Sequence, residues 1–150
     1  MNIYFHFIKS LLIGVSFLII ISCTEDTSRI LVTIADARVQ SAKLVDVGKP
    51  GDSVGDILTF DQPLLDTDGK QIGNNSGVCL RTRVAHSFQC QWTLSLTNGS
   101  IQVAGREFDQ GTSTLSIVGG SGAYAGIVGE MVSTNNNDGT FTQILRYRIR

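Results

Sequence analysis

The sequence predicts an all-β fold, an eight-stranded antiparallel closed β-barrel, and three observations lead there. No stretch after Ser28 carries helical periodicity. Segments of Val, Ile, Thr and Ser recur between turn signals, in a chain with 16 glycines and only 2 prolines. Eight such segments follow one another without a crossover helix, which implies a meander, and closure removes its exposed edges.

The segments fall near Ile30–Leu44, Val54–Gln62, Gly77–Val84, Phe88–Leu96, Ser100–Gly105, Ser113–Val118, Ala123–Thr134 and Thr140–Arg150. Phe88–Leu96 alternates strictly between apolar and polar over nine residues (FQCQWTLSL), the pattern of a strand with one buried face. Asp68-Gly69, Asn98-Gly99, Gly119-Gly120 and Asp138-Gly139 supply turns, and Asn98-Gly99 fits a tight hairpin. A barrel of eight strands either fills its interior or holds one small ligand.

Residues Met1 to Ser22 have the form of a signal peptide: one lysine, Lys9, then an apolar run of eleven residues from Leu11 to Ile21. That run is short for a membrane span, which needs about 20 residues. The tetrapeptide Ile20-Ile21-Ser22-Cys23 resembles the bacterial lipobox, with Ile20 where leucine is usual. The expectation is an exported lipoprotein of the cell envelope, anchored to the membrane through acylated Cys23. Residues 23–29 then form the tether and 30–150 the barrel domain. Ordinary secretion after cleavage, and a retained anchor, are the alternatives.

Charge excludes one class of partner. Twelve Lys and Arg face thirteen Asp and Glu, for a net charge of −1. Losing Lys9 with the leader makes it −2, so nucleic acid, which needs a basic face, is not expected. Arg146, Arg148 and Arg150 alternate with Leu145, Tyr147 and Ile149 and read as the wet face of a strand.

Gly120-Ser121-Gly122-Ala123-Tyr124-Ala125 matches a dinucleotide-binding pattern, but that site needs a following helix. Gly126-Ile127-Val128-Gly129 is a poor helix, and the glycines read as a tight turn in a curved wall. His86 is the only histidine after the leader and has no ligand-spaced partner, so neither a metal nor another cofactor is expected. No serine–base or cysteine–base pair points to a hydrolase. Glu107 and Glu130 read as solvated, and Trp92 as core or cavity wall.

Two segments carry a family resemblance. Gly55-Asp56-Ile57-Leu58-Thr59-Phe60-Asp61-Gln62-Pro63-Leu64-Leu65 is similar to stretches of the allene oxide cyclases and of the dirigent proteins. Leu115-Ser116-Ile117-Val118-Gly119-Gly120-Ser121-Gly122-Ala123-Tyr124, with Gly126 and Gly129 beyond, resembles the strand-turn-strand signature shared by both groups. Gly77-Val78-Cys79-Leu80 resembles the cyclase strand that carries a cavity cysteine. The resemblance spans about Ile30 to Arg150 and implies a barrel whose cavity takes a small hydrophobic, unsaturated molecule.

By position, the cyclase asparagine that holds a water corresponds to Gln62 and the cavity cysteine to Cys79. The first-strand glutamate has no counterpart in Val32-Thr33-Ile34-Ala35, so allene oxide cyclase activity itself is not expected. On the dirigent side, Asp61 stands at one acidic position and Gln62 at the other. Asp61, Gln62, Cys79 and Trp92 are therefore the candidate cavity residues.

Cys79 and Cys90 are the remaining thiols, and export favours a disulfide between them. With Ala85-His86-Ser87 as the loop, however, Val84 would face Phe88 and Cys79 would face Thr93. Bridging then requires a bulge or a shorter loop. Two buried thiols are the rival. Three functions follow: a barrel that binds a small hydrophobic molecule, an isomerase or cyclase acting by cavity shape, or a surface module with a filled barrel. A homo-oligomer is compatible with each.

Overall fold

The computed structural model describes residues 27–39 and 42–150. The leader and Cys23 lie outside the described residues. Among those described there are nine strands and no helix: β1 (Arg29–Asp36), β2 (Lys43–Val45), β3 (Ile57–Leu65), β4 (Gln71–Arg83), β5 (Ser87–Leu96), β6 (Gly99–Phe108), β7 (Thr112–Gly122), β8 (Ile127–Asn135) and β9 (Thr140–Ile149).

Each strand from β3 to β9 pairs antiparallel with the next, β9 pairs with β1, and β1 closes on β3. Eight strands thus form a closed antiparallel barrel. The seam is short, with Ile34 opposite Leu65 and Ala35 opposite Leu64. Further along the same edge of β3, β2 takes over, with Lys43 opposite Thr59 and Val45 opposite Ile57. Residues 60–63 of β3 pair on one edge only. Pro63, which has no N–H to give, is tolerated in that stretch.

The first predicted strand, Ile30–Leu44, is therefore two strands. Asp36 ends β1 by turning back on the chain: its carboxylate accepts hydrogen bonds from the Arg38 amide and guanidinium at 2.8–3.0 Å. That local competition with the ladder breaks the strand. Other boundaries move outward. β4 starts at Gln71 rather than Gly77, β6 runs to Phe108 rather than Gly105, and β7 extends to Gly122. Gly105 was expected to end β6, but its extended backbone passes through. β8 starts at Ile127 rather than Ala123, because 123–126 form the turn. The dinucleotide-like glycines thus bend a hairpin, with the Ala123 amide donating to the Asn98 carbonyl at 2.8 Å.

The β4–β5 hairpin differs from the expected register. Its loop is Val84-Ala85-His86, with Ala85 in the left-handed region (φ 50°), and a bulge lies between Arg81 and Arg83. The loop closes on Arg83 and Ser87 rather than Val84 and Phe88, which would set Cys79 opposite Gln91, and the bulge adds the last residue of shift, so that Cys79 faces Cys90 rather than Thr93. Their Cα atoms are 4.0 Å apart and the two sulfurs are bonded.

Alternation follows the sequence pattern. On β5, Phe88, Cys90, Trp92 and Leu94 point inward while Gln89, Gln91 and Ser95 face water. One end of the barrel is filled: Leu64, Leu94, Ile101, Val103, Leu115, Met131 and Leu145 are each at most 1% exposed. The 46–56 loop is held by Asp56, wholly buried, which accepts from the Val47 amide (2.9 Å), the Ser53 amide (2.7 Å) and the Ser53 hydroxyl (2.9 Å). Those bonds hold its carboxyl below the usual carboxylate range.

Candidate functional site

The other end of the barrel is hollow. A cavity of about 430 Å³ opens there, walled by Leu58, Phe60, Trp92 and Phe141 and edged by Asn137 and Gly139, both exposed. Ala37 and Ala42, which flank the gap between β1 and β2, also line it. The break in the first strand therefore stands at the cavity, where continuous pairing would have placed backbone. A cavity of this volume lies within the range of small-molecule sites, ~300–1,000 Å³.

The aromatic wall is built by register. Trp92 is opposite Gly77 on β4, and a Cβ at Gly77 would collide with the Cβ of Trp92. Glycine there makes room for the indole, which meets Phe60 edge-on with ring centroids 5.9 Å apart. Cys79, next inward on β4, brings the disulfide into the wall.

Of the sequence-predicted cavity residues, the structure brings Gln62, Cys79 and Trp92 together in the lining. Asp61 is a correction: it is exposed, opposite Ser76, on the outer face of β3. Period two sends Asp61 out when Gln62 points in, so the two could never share the interior.

Polar residues that the sequence did not assign to the cavity join the lining, with Asn75, Glu107, Ser133 and Gln143 on the inner wall and Asn135 and Asn137 toward the mouth. Glu107 is the second correction, since it had been read as solvated. It continues the inward set Ile101, Val103, Gly105 on β6, and the expected end of that strand at Gly105 hid it. Parity carried two residues further would have found it. Gln143 and Ser133 sit on the inward parity of Leu145 and Met131 in the same way.

The polar groups are partly matched. The Ser133 hydroxyl donates to Glu107 Oε1 at 2.9 Å, and the Thr33 hydroxyl donates to Gln143 Oε1 at 3.0 Å. Three buried atoms among the lining residues have no hydrogen-bond partner: Glu107 Oε2, Asn75 Oδ1 and Trp92 Nε1. Leaving such groups unmatched is costly in a low-dielectric interior. Burial pushes the Glu107 carboxyl up to about 7, against the opposing hydrogen bond from Ser133 and the influence of the nearby Ser113 hydroxyl. None of the lining residues is Lys, Arg or His.

Arg81, inward on the same wall, is already committed. It pairs with Asp109 at 2.6 Å and with Asp52 at 2.7 Å, and its guanidinium stacks 3.6 Å above the Phe88 ring. No three His, Cys, Asp or Glu side chains converge as metal ligands among the described residues. What the arrangement can do chemically is enclose an apolar molecule, set it against aromatic rings, and present it with one carboxyl and the buried amides of Gln62, Asn75 and Gln143.

The structural class is thus a closed eight-stranded antiparallel barrel with one hollow, aromatic-walled end. The chain belongs to the family described as the allene oxide cyclase barrel-like domain, which matches residues 32–144. The solved structure of a pyocyanin demethylase is similar at 28% identity and a TM-score of 0.66, covering 81% of this chain and all of that one. The pterocarpan synthase dirigent protein GePTS1 matches at 16% identity and a TM-score of 0.64, covering 91% of this chain and 98% of that one. An exo-specific intermolecular Diels-Alderase, AbnU, matches at 18% identity and a TM-score of 0.62, covering 81% and 98%. The last two likenesses are of fold alone. Among curated proteins, none matches the sequence significantly.

Proposed function

We propose that this barrel binds a small, mostly apolar molecule in its hollow end, as an exported protein held at a membrane surface by acylated Cys23. The cavity carries the first part: about 430 Å³ of space with Leu58, Phe60, Trp92 and Phe141 as walls. A barrel meant only to be filled would have no reason to leave these aromatic faces lining a void. The second part is supported by the leader and by Ile20-Ile21-Ser22-Cys23. One signal of this kind with two or more acyl chains gives durable anchoring.

Trp92 is the only tryptophan in the chain, so ligand entry reports directly in its fluorescence. Titration with unsaturated fatty acids, their epoxides and terpenoids should quench or shift the emission of the barrel. It should also raise the melting temperature with ligand concentration. Leu58→Trp fills the cavity and should abolish the shift in melting temperature while the β spectrum persists. A wild-type barrel that responds to no apolar compound in either assay would refute the binding reading.

A second reading, an isomerase or cyclase, is favoured by one observation: the Glu107 carboxyl in the cavity wall, near neutrality in its proton affinity. A group poised there can lend or take a proton near neutral pH. The likeness to a pyocyanin demethylase is consistent with chemistry in such a barrel. Conversion of a bound compound into an isomer of equal mass, lost in Glu107→Gln with binding retained, would establish it.

A further inference from the structure

Among the described residues, Glu107 is the one carboxylate lining the cavity, and no Lys, Arg or His of the lining balances it. Its Oε2 is buried without a partner, and Ser133 satisfies only Oε1. Arg81, the inward arginine of the neighbouring wall, is held by Asp52 and Asp109 and does not line the space. An isolated buried carboxylate is strongly disfavoured unless a positive charge comes to it.

The rest of the wall suits the same visitor. Phe60, Trp92 and Phe141 present three aromatic rings to the cavity. Ring faces attract cations, most strongly when these are shielded from water, and aromatic cages recognise quaternary nitrogen in this way. A wall designed for neutral hydrocarbon alone would need neither the carboxyl nor the unpartnered Asn75 Oδ1 elsewhere in the lining, and both favour positive charge or donors on the occupant.

We propose that the cavity takes a flat, mostly apolar organic cation, an aromatic N-heterocyclic or quaternary ammonium ion, with Glu107 as its counter-ion and the aromatic rings as its sides. This rests on the binding reading above and adds the charge of the ligand. The neutral part stacks on Trp92, Phe60 and Phe141. The positive nitrogen lies toward the Glu107 carboxyl.

A pair of probes of matched shape separates the two ideas. 1-Methylquinolinium is a permanent cation, and 1-methylnaphthalene is its neutral counterpart. The barrel from residue 27 onward serves for the test, since every strand pairing of the closed barrel lies within it. Equilibrium dialysis gives the dissociation constant of each probe for the wild type and for Glu107→Gln. The expected result is at least a tenfold weakening for the quinolinium in Glu107→Gln, with the naphthalene changed less than twofold. The unchanged naphthalene also shows that the variant's cavity is intact. Equal effects on both probes, or none on either, would overturn the counter-ion role while leaving apolar binding in place. Failure of both probes to bind the wild type would remove the binding reading and this inference together.

Discussion

Replacing Glu107 by glutamine keeps the side chain's size and an oxygen for the Ser133 hydroxyl while removing the charge. Glu107 moves from its ordinary value of 4.5 to about 7 in the folded protein because burial disfavours the carboxylate. Between those values the native state holds more proton than the unfolded chain, so stability falls as pH rises. At ~1.4 kcal/mol per pH unit, the ionised carboxyl costs at most about 3 kcal/mol once the pH exceeds both values. About 2 kcal/mol of that falls between pH 5 and pH 8, and solvent at the open end screens part of it. Urea unfolding of both proteins at pH 5, 6, 7 and 8 reads this directly. The wild type should lose stability relative to Glu107→Gln across the series, with the variant the more stable at pH 8. Asp36, Asp56 and Asp138, whose carboxyls are lowered, titrate below this window and affect both proteins alike. Stability profiles that run parallel from pH 5 to pH 8 would refute the burial argument.

Four other outcomes are expected. The double variant Cys79→Ala/Cys90→Ala should lose about 2–3 kcal/mol, since the bond closes a short loop across a separation of 11 residues; denaturant melts with and without reductant check it. Leu64→Ala, at the β1–β3 seam and wholly buried, should lose about 2–5 kcal/mol and weaken closure, seen as faster amide exchange in β1. Asp56→Ala leaves the Val47 and Ser53 amides without their acceptor, and their exchange should rise well before that of the barrel strands. Because its carboxyl is lowered, the contribution of Asp56 is present at neutral pH and disappears as the pH falls through its folded value. Cys23→Ala should abolish incorporation of labelled palmitate and release the protein from the membrane fraction, and unchanged fractionation would leave ordinary secretion.

The sequence by itself determined the class of fold, because strand periodicity is local. Phe88–Leu96 shows its buried and wet faces in consecutive letters, and Asp68-Gly69 and Asp138-Gly139 mark where the chain turns, whereas Gly119-Gly120, expected as a turn, runs inside β7 and the chain turns at 123–126. Strand parity also put Trp92 on an apolar face, while Gln62 and Cys79 became candidates through the family resemblance. The tertiary structure decided what depends on register between strands. The loop closing on Arg83 and Ser87 and the bulge between Arg81 and Arg83 together brought Cys79 opposite Cys90, and no pattern within either strand announces a bulge. Asp61 and Gln62 read alike in sequence until closure fixed which side of β3 is inside. Glu107 looks like a surface residue because a carboxylate in an apolar strand is normally on the wet side. Only the closed wall, with Ser133 brought within 2.9 Å from a strand 26 residues away, makes it a cavity group. Alternation says that successive side chains point to opposite faces. Which face encloses the cavity, and which distant side chains meet there, is settled when the barrel closes.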